Sequence, residues 1–321
     1  MPLARLLVCF LLTAPGSRLG AQAPPNGWIR VVAPGQGTPA AAWAAGTWPM
    51  GASAIAGPGG KLWMFGEGWA WSSSDQTTWE RQANRLPFGI RSGMAFVFFQ
   101  NKLWAYGGVM GRAGKNDVWF TSDGVRWTNV STRAGWSPRR DHRVIEFMGK
   151  LWLIGGNDGY DRNDIWFSNN GVDWRSAGPA PAWVPRGRPV VTVFNDKIWM
   201  YGGGGGPVPR IDVWSSENGR DWTEVASRAA WTGRICGGGG AFDGRLWFFG
   251  GAARDGAAFH DVWSSVDGAT WVKSPDPDWS PRCADQAFVF DGKFWLFGGR
   301  IPEPRGEGRL ADDVWFLENS R

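Results

Sequence analysis

Histidine and tyrosine are almost missing from this sequence, two and three residues among 321. His142 and His260 are read as core or loop residues, and no metal or other cofactor is implied. Long hydrophobic runs are missing too. The longest near the start, Leu6 to Ala14, is nine residues, far short of the roughly 20 that a membrane helix needs, so no membrane span is expected. The net charge of +5 is too slight to be a nucleic-acid footprint, and no nucleic acid is expected as a partner. Three cysteines, Cys9, Cys236 and Cys283, leave room for one disulfide at most.

Met1 to Ala23 reads as a secretory signal. Arg5 supplies the positive start, Leu6 to Ala14 the apolar stretch and Ala21-Gln22-Ala23 a small-residue cleavage site, with cutting after Ala21 or Ala23. Its removal takes Arg5, Arg18 and Cys9 away, so Lys+Arg falls from 34 to 32 and the net charge from +5 to +3. A secreted or periplasmic protein follows, with residues 24–321 as one domain.

What is abundant is tryptophan, 25 residues, and glycine, 48. Trp63, Trp104, Trp152, Trp199, Trp247 and Trp295 stand in Gly-Lys-Leu-Trp-like segments, at spacings of 41, 48, 47, 48 and 48. Six repeats of one unit explain that period, and two domains do not. Each unit has a second tryptophan (Trp71, Trp119, Trp166, Trp214, Trp263, Trp315) with Asp or Asn four residues on. In Asp123-Gly124, Asn170-Gly171, Asn218-Gly219 and Asp267-Gly268 that residue is followed by glycine, the turn chemistry of an antiparallel hairpin. An apolar run before the first tryptophan, such as Met94 to Phe99, adds another strand.

Four short strands, a to d, per unit of about 48 residues cannot bury themselves alone, so radial stacking is expected: an all-β, six-bladed propeller of four-stranded antiparallel blades. The sixth unit ends at Arg321 without a fourth strand. Trp28-Ile29-Arg30-Val31 repeats the Trp-x-x-Val form of Trp127 to Val130 and is expected to supply it, closing the ring on the outside of the last blade.

Pro138-Arg139, Gly155-Gly156 and Asn163-Asp164-Ile165-Trp166 resemble the kelch repeat, and the likeness runs from Trp28 to Arg321. The hairpin Ser265 to Trp271 is similar to the Asp box of sialidases, which has one more residue between Asp and Gly. Both families are propellers. The kelch likeness extends to secreted enzymes of the galactose-oxidase type, but their copper site needs two His and two Tyr meeting at one point. Tyr106 and Tyr201 fall inside strand b, leaving Tyr160 alone in a loop, so that chemistry is not expected here.

An arginine recurs at the start of strand a in five units, Arg91, Arg139, Arg186, Arg234 and Arg282, with Gly51 in the first. Three residues ahead stands an aromatic: Trp48, Phe88, Trp136, Trp183, Trp231 and Trp279. Two readings are open. The arginines can bond local carbonyls or a carboxylate such as Asp141 or Asp285, as a fold device. Alternatively they ring one channel mouth, where guanidinium forks take an acidic ligand and Trp136, Trp183, Trp231 and Trp279 stack on it. The aspartates Asp117, Asp164, Asp212, Asp261 and Asp313, ahead of strand c, are expected to bond turn backbone. Asp158, Asp161 and Asp164 lack the alternating acids and central glycine of a calcium loop.

The b-to-c loops differ most between units, as binding loops on a regular scaffold do. Blade one has Glu67 where the others have glycine, blade three offers Tyr160, and blade six carries Arg300 to Leu310. Glu67 and Tyr160 are the candidate catalytic residues. Cys236 and Cys283, 47 residues apart on neighbouring inner strands with opposite parity, either face each other as a disulfide or face apart. The expected function is a monomeric binding module for an acidic carbohydrate or a peptide carboxylate at the arginine-lined face. The alternative is a carbohydrate-active enzyme of the sugar mutarotase, lyase or glycoside hydrolase type using the same face.

Overall fold

A computed structural model describes residues 27–32, 53–66, 68–76, 78–204, 208–283, 287–301, 308–311 and 313–319. The signal segment, Trp48, Gly51, Glu67, Asp285 and residues 302–307 lie outside the described residues.

Six four-stranded antiparallel sheets form the blades of a β-propeller. The innermost strands are Ser53–Ala56, Ala95–Phe99, Arg143–Phe147, Val190–Phe194, Gly238–Phe242 and Ala287–Phe290. In the sixth blade the order from outside in is Trp28–Val32, Val314–Glu318, Lys293–Phe297, Ala287–Phe290, so the N-terminal strand supplies the missing edge. Trp28 anchors it: its ring meets Phe249 edge-on at 5.2 Å. Among the described residues the one helical element is a 3-10 turn, Pro58–Gly60.

The turn chemistry and the first tryptophan of each unit prove to be one device. The ring of Trp104 in blade two lies against Gly171 in the turn of blade three, so closely that a Cβ there would sit 2.8 Å from its edge. Trp63 with Gly124, Trp152 with Gly219 and Trp199 with Gly268 repeat the contact from blade to blade. These glycines have φ between 74° and 82°, the left-handed region that a side chain disfavours. The Asp or Asn before each glycine accepts hydrogen bonds from the two backbone amides after it, as Asp123 does from Val125 and Arg126 at 2.8 Å.

Each innermost strand pairs on one side only. Its other edge borders a central channel of about 190 Å³ lined by the inner strands of all six blades. The apolar side chains point sideways into the neighbouring blades, as Ala95, Val97 and Phe99 do toward Leu151 and Leu153, so exposed backbone amides give the channel its polar wall.

Candidate functional site

The five recurring arginines do not line the channel mouth. Arg139, Arg186, Arg234 and Arg282 are at most 1% exposed and Arg91 is 9% exposed. Each fork is closed by the aspartate ahead of strand c in its own blade: Arg91 with Asp117, Arg139 with Asp164, Arg186 with Asp212, Arg234 with Asp261 and Arg282 with Asp313. In blade three Arg139 Nη1 and Nη2 donate to Asp164 at 2.6 and 2.8 Å, while Nη1 also donates to the Gly155 carbonyl at 3.0 Å. The arginine thus ties the starts of strands a and c to the end of strand b. The partner is not Asp141, and the aspartates, expected to bond backbone, take an arginine side chain as well, with backbone hydrogen bonds also at Asp117, Asp212 and Asp313. Four of them also accept an indole N–H, as Asp212 does from Trp214 Nε1 at 2.7 Å. Burial pushes these five carboxyls up, but the hydrogen bonds and charge of the arginines outweigh it and hold them below the usual value.

The aromatic series is equally enclosed. Trp136, Trp183, Trp231 and Trp279 are 1–2% exposed and belong to the core between blades, so none presents a face to a ligand. Tyr106 and Tyr201 are buried and donate to the carbonyls of Gly171 and Trp247. Tyr160 is the opposite, 79% exposed in its loop.

A different set of residues shapes the mouth. A pocket of about 440 Å³ spans blades three to five and is lined by Arg140, Arg188 and Arg254 together with Asp141, Asp161 and Asn157. Arg140 and Arg188 follow the buried Arg139 and Arg186 by one and two residues. Backbone alternation explains why one arginine turns into the blade and the next, Arg140, is exposed. Asp141 and Arg188 adopt left-handed conformations, φ 60° and 54°, and link blade to blade: Arg188 N donates to the Asp141 carbonyl at 2.8 Å. Their side chains pair as well, Arg188 Nε to Asp141 Oδ1 at 3.0 Å, with Arg140 Nε 3.7 Å from the other carboxylate oxygen. Asn157 Nδ2 donates to Asp161 Oδ1 at 2.9 Å.

Cys236 and Cys283 are joined in a disulfide, Cα to Cα 5.2 Å. Cys236 holds in blade five the position that Asp141 and Arg188 hold in blades three and four, and it is bonded to Cys283, which follows Arg282 by one residue as Arg140 follows Arg139. Ile235, beside it, lines the pocket.

The aspartates weighed as calcium ligands serve separate partners. Asp158 accepts from Ser137 Oγ at 2.7 Å and Arg162 Nε at 2.8 Å, Asp161 from Asn157, and Asp164 from Arg139. Among the described residues no three His, Cys, Asp or Glu gather as a metal site.

Sequence reasoning passed over Arg140, Arg188 and Arg254 because aligning the repeats selects positions that recur. The available signal was the surplus: Arg139-Arg140 and Arg186-Gly187-Arg188 carry one arginine more than the repeat needs.

The solved structure of YjhT shares this fold. It superposes with a TM-score of 0.70, covering 85% of this chain and 96% of that one, at 15% identity. At that identity the similarity is one of fold, and propellers host unrelated functions. No protein-family model and no curated protein matches the sequence.

Proposed function

We propose that the protein is a binding module for an acidic carbohydrate, held at the channel mouth by Arg140, Arg188 and Arg254. The observation that carries this reading is the pocket's composition: three arginines face two aspartates and an asparagine in one cavity of about 440 Å³. Guanidinium groups suit a carboxylate. Aspartate and asparagine suit hydroxyls, which both donate and accept, so a ligand with an acid and several hydroxyls answers the whole set. The set does not recur from blade to blade, as expected of a site grafted on a fold.

Asp141 and Asp161 border the same cavity, and this favours one second reading, a carbohydrate-active enzyme in which a carboxylate moves a proton on the bound sugar.

A glycan and peptide array probed with the wild type and with Arg140→Ser/Arg254→Ser tests the proposal. Signal on acidic glycans, absent from neutral ones and lost in the double variant, supports it. Signal indifferent to the acid or to the two arginines contradicts it. Turnover of a bound sugar that Asp141→Asn abolishes while binding persists would establish the enzyme reading.

A further inference from the structure

The mouth pocket has a neighbour that shares two of its residues. A groove of about 520 Å³ runs between blades two and three, and Arg140 and Asn157 line both cavities. Its far wall is the tip of the hairpin Lys102–Met110/Ala113–Thr121, whose turn carries the exposed Arg112. Its near wall is the blade-three loop at Asp158 and Gly159. Tyr160 stands in that loop between Gly159, which lines the groove, and Asp161, which lines the mouth.

We infer that the ligand is an oligosaccharide of at least two units, its acidic unit at the mouth and a second sugar in the groove beside Arg112 and Tyr160. This rests on the mouth reading above. Two cavities joined through Arg140 and Asn157 give more room than one sugar fills. Ser137, Asn157 and Asp158 offer hydroxyl, amide and carboxylate groups suited to sugar hydroxyls. The carboxyl of Asp158 is fixed as a charged acceptor: burial raises it, but hydrogen bonds from Arg162 and Ser137 and the charge of Arg162 lower it further. Tyr160, with 79% of its surface exposed next to the groove-lining Gly159, supplies a flat apolar face with a polar tip, suited to a sugar ring. A peptide is disfavoured because the backbone edges along the groove are taken. Ser92 pairs with Val109, Arg140 with Asn157, and Arg139 N donates to the Lys115 carbonyl, so these described edges are not open to an added strand.

The test compares galacturonic acid with a disaccharide in which a uronic acid is joined to a neutral hexose, by calorimetric titration of the full chain. The variants are Arg112→Ser/Tyr160→Ala in the groove and Arg140→Ser/Arg254→Ser at the mouth, with folding checked by circular dichroism. The wild type should bind the disaccharide about tenfold more tightly than the monosaccharide. The groove variant should lose that advantage and keep its affinity for the monosaccharide, while the mouth variant loses both ligands. Equal affinity of the wild type for the two sugars, or an advantage that survives the groove variant, overturns this inference and leaves the mouth site standing. Failure of both sugars to bind the wild type overturns the mouth reading and the inference with it. An acidic tripeptide that matches the disaccharide and shares its sensitivity to the groove variant also overturns it.

Discussion

Arg186 and Asp212 meet fork to fork inside blade four, Nη1 to Oδ1 at 2.8 Å and Nη2 to Oδ2 at 2.6 Å, with the arginine wholly buried. The same pair stands in blades two to six, which makes it part of what holds strands a, b and c together within each blade. Buried pairs of this kind add little over an apolar replacement but are costly to break, because the survivor is left charged in a dry place. Arg186→Ala should therefore cost roughly 3–5 kcal/mol. Asp212→Ala should cost a similar amount, and the double variant much less than their sum. Chemical denaturation of the three variants checks this, and additive losses would mean that the two residues act separately.

His142 is fully buried against Trp136, 5.5 Å between ring centroids, and neither ring nitrogen has a protein hydrogen-bond partner. Burial, with the charges of Arg139 and Arg143, lowers its pKa to about 3. The folded protein then binds fewer protons than the unfolded chain below the ordinary value of about 6.5, so stability falls as the pH drops from there toward 3. At pH 5 the loss from this residue is about 2 kcal/mol. His142→Phe should carry a packing cost at every pH yet lose about 2 kcal/mol less than wild type between pH 7.5 and 5. The five paired aspartates, held below their usual value, add a further loss in both proteins below about pH 4. Melting curves across that range provide the check.

The tryptophan-on-glycine contact predicts a contrast between two substitutions. Gly171→Ala places a Cβ 2.8 Å from the Trp104 ring at φ 82° and should cost roughly 2–4 kcal/mol. Gly149→Ala, at φ 69° with nothing within 4 Å, meets the backbone penalty alone and should cost about 1 kcal/mol. Equal losses would mean that the ring does not bear on the turn.

Much of this architecture was legible in the sequence because it repeats. The spacing of Trp63 to Trp295 marked six blades, and the Trp-x-x-Val echo at Trp28 placed the closing strand. The partners of the arginines were not legible. Arg139 and Asp164 lie 25 residues apart and meet only because strands a, b and c pair in one register. The mouth was harder still, since Arg140, Asp141 and Arg188 stand at positions where the blades carry different residues, and the left-handed backbone at Asp141 and Arg188 is not marked in the sequence.

The disulfide closes a loop of 47 residues between blades five and six. In the chain-entropy account a loop of that length is worth about 4 kcal/mol. Cys236→Ser/Cys283→Ser should lower stability by up to that amount, and reductant should lower the wild type but not the variant. Because Ile235 lines the mouth and Gly237 the channel, acidic-sugar affinity should fall with it.

The central claim is that an acidic sugar binds through the arginines that do not recur, not through those that do. Backbone amide chemical shifts of the full chain titrated with galacturonic acid test it most directly. The account predicts saturable shifts at Asn157, Gly187, Gly204 and Ile235, around Arg140, Arg188 and Arg254, with the amides of Phe98 and Val193, further along the innermost strands, unmoved. No saturable shifts, or shifts centred on Phe98 and Val193, would contradict it.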